Sequence, residues 1–394
     1  MAALSPVTLP EELIGEVLSF LSVKSLIRMK CVNKSWNNLI SDPIFVKMHL
    51  NHSPRNTHFV VRSSDASANI FPISVSNLLK SWEKTITPID DPYFRFHSKD
   101  LRSIVGSCNG LICLLDSDNV DHSLYFWNPA TRTKSKKLGS IRLYNKYATV
   151  VKFTFGYDNS TDTYKVVLLT LKTEDQLVRT AVKVFTLGDN VWRDINCFPE
   201  ELVLLYRDYL NQYDSVYLTN SINWLVRHRY NCHVKNRTIE EYVIVSLDLG
   251  TETYSQLLLP RCCNENPFDI TPTHFVFMDC LCFSYDFEKT HFVIWQMKEF
   301  GVEESWTQLL KINYLDLNIA FKVVNYRMRL IPLCFSDNDA LIFITNFGDQ
   351  PILYDWRNNR ATRTNCTNFG DKRIMYNDWY SATEYSVESL VSPY

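Results

Sequence analysis

The sequence lacks any apolar run near the ~18 residues that a membrane-spanning helix needs. Its start, MAALSPVTLPEEL, has no basic segment followed by an apolar core, so a secretory leader is not expected. It lacks an excess of either charge. Its 41 Lys and Arg face 43 Asp and Glu, for a net charge of −2, which favours neither nucleic acid nor an anionic membrane as a partner. It lacks Cys-x-x-Cys pairs: the 11 cysteines are odd in number and scattered. That usage reads as reduced thiols of a cytoplasmic or nuclear protein. There is no Gly-x-Ser-x-Gly elbow, no Gly-x-x-x-x-Gly-Lys phosphate loop and no His-Glu-x-x-His. Glycine is scarce, at 10 residues, while aromatic residues reach 13% and Val, Ile and Thr are abundant. This composition tilts the chain towards β-structure.

The first fifty residues depart from that tendency. Leu9, Leu13, Val17 and Leu21 recur every fourth residue, and Ile14, Leu18 and Phe20 widen the stripe, which is helical spacing with a broad apolar face. Ser22 can cap a second helix carrying Leu26, Ile27 and Val32, and Asn33 a third carrying Trp36, Leu39 and Ile40. Asp42-Pro43 supplies a cap and an N1 proline for a fourth turn. A unit of ~40 residues rarely buries enough surface to stand alone. Its uncovered apolar face is either packed on the rest of the chain or offered to a partner.

Four stretches decide between these readings. LPEEL (9–13), VKSLIR (23–28), CVNKSW (31–36) and LISDPIF (39–45) resemble the F-box in register and spacing. One departure is Ser22, where plant members usually have proline; serine is a competent cap. The resemblance implies a three-helix unit at residues 5–50 that docks on the Skp-type adaptor of a cullin-based (SCF) ubiquitin ligase. The face held by the adaptor would comprise Leu9, Pro10, Leu13, Ile14, Val17, Leu18, Leu21, Leu26, Ile27, Val32, Trp36, Leu39 and Ile40.

Residues 51–103 contain strand-like runs at 58–62 and 69–73 and then an aperiodic segment with Pro88 and Asp90-Asp91-Pro92, read as a connecting segment. From residue 104 to 394, short strands alternate with turn signals in units that begin near 105, 153, 216, 275 and 341. A period of ~40–50 residues with four short strands per unit marks propeller blades. A β-sandwich with Greek-key turns is the weaker alternative. The segment before Ile104 and the last strand can close the ring together.

Six further motifs share a second resemblance. GSCNGL (106–111), WNPATR (127–132), GYD (156–158) with YKVV (164–167), SLDLGTE (246–252), GVEESW (301–306) and YSVESLVSP (385–393) are similar to the plant F-box-associated, kelch-like domain. S-locus F-box proteins of pollen share this layout, as do many relatives. Two turns depart from the pattern, at Asn220-Ser221 and Asp279-Cys280, where glycine is usual. The expected fold is therefore mainly β, a small all-α F-box followed by a kelch-like β-propeller.

Candidate chemistry is sparse. Cys232-His233, Cys262-Cys263 and Cys280/Cys282 lack the ligand spacing of structural zinc, and no cofactor is expected. The acid pairs Asp90-Asp91, Glu240-Glu241 and Glu303-Glu304 fall in polar stretches and read as solvated surface. Two stretches suit target recognition. One is the basic run with Arg227, Arg229, Tyr230 and Arg237, expected as a loop projecting from a blade; the other carries Tyr206, Arg207 and Tyr209. Arginine pairs bidentately with acidic or phosphorylated groups, and Tyr and Arg anchor interfaces.

Together these readings point to a non-catalytic substrate-recognition subunit of an SCF ligase. Its partners would be a Skp-type adaptor, through it a cullin, and a target protein of unknown identity destined for ubiquitination and degradation. The alternatives are a propeller enzyme, with carboxylates or a metal in a central pocket, and a non-ligase F-box scaffold.

Overall fold

The computed structural model describes residues 9–53, 55–62, 70–74, 96, 101–117, 120–143, 148–174, 177–195, 198–199, 201–204, 215–228, 241–260, 272–288, 290–317, 330–335, 341–345, 352–363, 368–369, 372–373 and 383–394. The chain opens with helices α1 (Glu11–Ser19), α2 (Val23–Met29), α3 (Lys34–Ser41) and α4 (Pro43–His52). The three expected caps form. Ser22 Oγ accepts from the Ser25 amide, Asn33 Oδ1 from Trp36 at 2.8 Å, and Asp42 Oδ1 from Ile44 at 2.8 Å and Phe45 at 3.4 Å.

The three-helix expectation is corrected to four helices. The fourth turn is a ten-residue helix, because it buries Phe45 and His49 against the others. His49 Nε2 lies 2.9 Å from the Leu21 carbonyl, which ties α4 to the end of α1. Leu18, Val23, Leu26, Ile40 and Phe45 form the helical core.

Among the described residues, the strands form six sheets of three to five strands and one two-stranded ribbon, Asn368–Phe369 with Lys372–Arg373. Blade 1 has Leu101–Cys108, Leu111–Ser117, Asp121–Asn128 and Thr133–Lys134, with Leu138–Arg142 beside the third. Blade 2 has Ala148–Asp158, Thr163–Glu174, Leu177–Thr186 and Trp192–Asp194. Blade 3 starts with two short strands, Leu202–Leu204 and Val216–Leu218, both paired to Ser221–His228; Tyr242–Asp248 and Tyr254–Leu258 follow. Blade 4 has Thr273–Phe277, Cys280–Phe287, His291–Met297 and Trp306–Asn313. Blade 5 has Leu330–Phe335, Leu341–Thr345, Ile352–Asp355 and Arg360–Arg363. A closing sheet pairs Arg55–Arg62 with Ile70–Ser74 on one side and with Thr383–Val387, from the far end of the chain, on the other.

The packing rules out the sandwich. In a sandwich each strand buries alternate residues against one opposing sheet. Here consecutive residues are buried on both faces. Leu111 and Cys113 pack towards blade 2, while Ile112 and Leu114 pack towards the closing sheet. Val243, Val245 and Leu247 face blade 2, while Tyr242 and Ile244 face blade 4. This is why the middle strands read as unbroken apolar runs. The core is a series of apolar layers between neighbouring sheets, and no single blade could bury it alone.

Candidate functional site

The two surfaces expected to act as sites lie on different parts of this frame. On α1 the 3.6-residue period sends Ile14 and Leu18 inward and leaves the opposite face open. Leu9, Leu13, Val17 and Phe20 are 49–65% exposed and form a stripe along that face. Val32, after α2, and Ile44, at the start of α4, add two more exposed apolar side chains, at 62% and 80%. Large aliphatic groups held in water at this density are costly unless a partner covers them.

The adaptor face expected from sequence therefore divides. Leu9, Pro10, Leu13, Val17 and Val32 are exposed; Ile14, Leu21, Ile27, Trp36 and Leu39 are half-buried. Leu18, Leu26 and Ile40 are buried in the helical core and hold the face in shape. Phe20 and Ile44 were missing from that set. Phe20 follows Val17 by three residues, the other helical neighbour distance, and stacks on His52 at 4.4 Å with the rings nearly parallel. Ile44 joins the exposed set because the segment expected as a fourth turn is a helix that carries it on an open face.

On the propeller, Arg227 is not in a projecting loop. It lies in the strand Ser221–His228, opposite Tyr242. Its Nε is 3.4 Å from Glu241 Oε2, and both side chains are largely shielded from water. Glu241 is likewise buried rather than solvated, and Glu303 Oε1 accepts from the Leu258 amide at 2.7 Å, fastening blade 4 to blade 3. Each acid was read as surface because its partner is distant in sequence. Tyr206, Arg207, Tyr209, Arg229, Tyr230 and Arg237 lie outside the described residues. The strands that flank them do meet: Leu202 pairs with His228 and Leu204 with Val226, so both stretches depart from blade 3.

The seam between blades 2 and 3 carries a linked cluster of four charged side chains. Lys165, Asp158, Glu252 and Arg193 join there, with Arg193 gripping Glu252 through both terminal guanidinium nitrogens. Burial alone would raise the Asp158 pKa, but hydrogen bonds from Lys165, Ser160 and Thr161 outweigh it and hold the carboxyl far below the usual range. Every member has a partner, so the cluster reads as a structural clamp.

The geometry is two-part, a helical unit with an exposed apolar stripe joined to a β-propeller. The F-box domain model matches residues 8–48, and the F-box associated beta propeller domain model matches residues 59–391. An F-box/kelch-repeat protein of Arabidopsis thaliana is 28% identical over 364 residues, covering 90% of each chain. The Arabidopsis F-box protein CPR1 is 26% identical over 318 residues, covering 77% of this chain and 73% of its own. Among solved structures, the β-propeller domain of the trilobed protease from Pyrococcus furiosus aligns at a TM-score of 0.38 and 10% identity, covering 81% of this chain and 83% of that one. The chain belongs to the plant F-box proteins that carry an F-box-associated β-propeller. That membership supports a substrate-recognition role in SCF-type ubiquitin ligases in general.

Proposed function

We propose that the exposed stripe of Leu9, Leu13, Val17 and Phe20, with Val32 and Ile44, is held by a Skp-type adaptor, which links the chain to a cullin. The propeller holds a target protein, which is ubiquitinated and then degraded. The chain does no covalent chemistry of its own. Its contribution is proximity: the target's lysines are kept at high effective concentration beside the charged conjugating enzyme. The observation that carries this reading is the α1 stripe, an apolar surface that the chain's own fold leaves uncovered. The stretches that leave blade 3 are the target-contacting candidates, with Arg227 and Glu241 anchoring their base.

The test is capture of the recombinant full chain by a Skp-type adaptor, beside the variant Leu13→Asp/Val17→Asp. Both substitutions sit on the exposed face, so the fold should survive them. The expected result is capture by the wild type and a loss of more than ~100-fold in affinity for the variant. Equal capture of both would overturn the assignment of this face.

A further inference from the structure

The last residues of the chain, Glu388 to Tyr394, continue from the closing strand and run between the helical unit and blade 1. Ser389 is fully buried, and the two residues after it serve different units. Leu390 enters the helical core beside Leu18, Leu26 and Phe45. Val391 packs into the layer between blades 1 and 2, with Phe126 and Val166. The Tyr394 hydroxyl donates to the Lys134 carbonyl at 2.8 Å, which pins the tail to the strand Thr133–Lys134 of blade 1.

One side chain holds this tail. Asn128, fully buried at the end of the third strand of blade 1, donates from Nδ2 to the carbonyls of Ser389 at 3.0 Å and Val391 at 2.8 Å. Its Oδ1 meanwhile accepts from the amides of Ala130 and Thr131 and caps the following turn. The same turn recurs in other blades with aspartate in that place. Asp158 caps Ser160, Asp248 caps Gly250 and Thr251, and Asp355 caps Arg357 and Asn358. In all four turns the fourth residue after the cap has positive φ: Arg132, Asp162, Glu252 and Asn359. An aspartate can do the capping but has no hydrogen to give. Blade 1 uses the amide because two tail carbonyls there need donors.

Among the described residues, the other links between the two parts are few: Ala130, in the turn that Asn128 caps, packs on the helical core. The covalent one is residues 53 and 54, between the end of α4 and the strand that begins at Arg55. Lys47 reaches Asp162 at 3.3 Å, but both are more than half exposed, and such pairs contribute little. We infer that the C-terminal tail is a positioning wedge, held by Asn128, which fixes the direction of the helical unit relative to the propeller. Resting on the proposed function, the wedge would then set the direction in which a bound target faces the ligase.

The test uses the full chain with fluorophores introduced as non-canonical residues at Asn38 and Asp189, both exposed, and reads their separation by single-molecule energy transfer. Asn128→Asp keeps the cap, as in the other blades, and removes both donations to the tail. Leu390→Ser empties the wedge from the helical side. The expected result is one narrow distance population in the wild type and a broad or displaced one in each variant, with adaptor capture retained within about threefold. An unchanged narrow population in both variants would overturn the inference. So would loss of adaptor capture in both, which would make the tail a folding requirement. A wild type that shows the narrow population yet captures no adaptor would support the wedge and overturn only the ligase reading.

Discussion

Lys165 donates from Nζ to Asp158 Oδ2 at 2.7 Å and to the Leu249 carbonyl at 2.7 Å, with both charged side chains buried at the seam of blades 2 and 3. The two residues are the ends of one tight hairpin, yet the carbonyl that completes the site belongs to the next blade. A local pair thus becomes a link between neighbours.

Replacing Lys165 with methionine keeps the volume of the side chain and removes its charge. Asp158 would keep its bonds from Ser160 and Thr161 but lose its counter-charge at a buried site, and breaking a buried ion pair in this way typically costs about 3–5 kcal/mol. The melting temperature of the propeller is expected to fall by several degrees or more, as followed by near-ultraviolet circular dichroism. The linkage has a defined sign. Asp158 titrates lower in the folded state than in the unfolded one, so its contribution is present above its unfolded pKa and is lost as the pH falls below it. The difference between wild type and Lys165→Met should therefore be largest near neutrality and shrink in acid. An equal difference at pH 7 and pH 3 would contradict it.

The helical unit offers a second separation of roles. Leu13→Ala and Val17→Ala change exposed side chains and should leave the melting curve within ~0.5 kcal/mol of wild type. If the stripe is the adaptor interface, the pair should weaken adaptor binding by about 2–4 kcal/mol in a titration. Leu26→Ala does the reverse. Leu26 is fully buried, so its truncation should destabilise the helical unit by about 2–5 kcal/mol and affect the adaptor only through unfolding. Loss of binding by Leu26→Ala with an unaltered helical melt would place Leu26 in the interface after all.

Much of this was legible in the sequence, for reasons that can be named. The caps at Ser22, Asn33 and Asp42 act within three residues, so a local pattern finds them. Blades were visible because each repeats the same short-range order of strand and turn. Arg227 and Glu241 were misread because fourteen positions separate them, and only the pairing of their strands brings them together. Buried Leu18, Leu26 and Ile40 could not be told from exposed Leu13 and Val17, because a stripe broad enough for both core and partner has no mark dividing the two. Asn128 lies within the WNPATR motif, but its role depends on a tail more than 250 residues away.

Asp286, near the end of the second strand of blade 4, should carry a pH dependence opposite to that of Asp158. Its Oδ1 is shut off from solvent and finds no hydrogen-bond donor, and burial pushes the carboxyl up to about 7. Above that value the folded state holds a charge poorly solvated at Oδ1, which the unfolded state solvates freely. Between about 7 and the ordinary 3.8 the folded state gains a proton that the unfolded state does not, so stability rises as the pH falls. Asp286→Asn should stabilise the protein at pH 8 by about 1–3 kcal/mol and leave it unchanged near pH 4. Thermal melts of both proteins across that range check this; a gain that persists at pH 4 would mean that packing, not charge, is responsible.

Three two-residue hairpin turns, at 109–110 in blade 1, 219–220 in blade 3 and 278–279 in blade 4, invite a final substitution. In blade 1, Asn109 and Gly110 both have positive φ, as a two-residue hairpin of this hand requires. Thr219-Asn220 in blade 3 and Met278-Asp279 in blade 4 adopt the same left-handed backbone without a glycine. Each such residue costs roughly 1–2 kcal/mol relative to glycine. The two turns should nevertheless respond differently. Met278 is exposed, so Met278→Gly should stabilise the chain by about 1 kcal/mol, less what glycine adds to the entropy of the unfolded state. Asn220 accepts from the Asn159 amide at 2.8 Å and donates to Asp248 at 3.1 Å, linking the turns of blades 2 and 3. Relief of backbone strain in Asn220→Gly is offset by two lost hydrogen bonds of about 1 kcal/mol each. Chemical denaturation should show a higher midpoint for Met278→Gly and an equal or lower one for Asn220→Gly. If both rise together, backbone strain alone governs these turns and the Asn220 side chain contributes nothing to the seam.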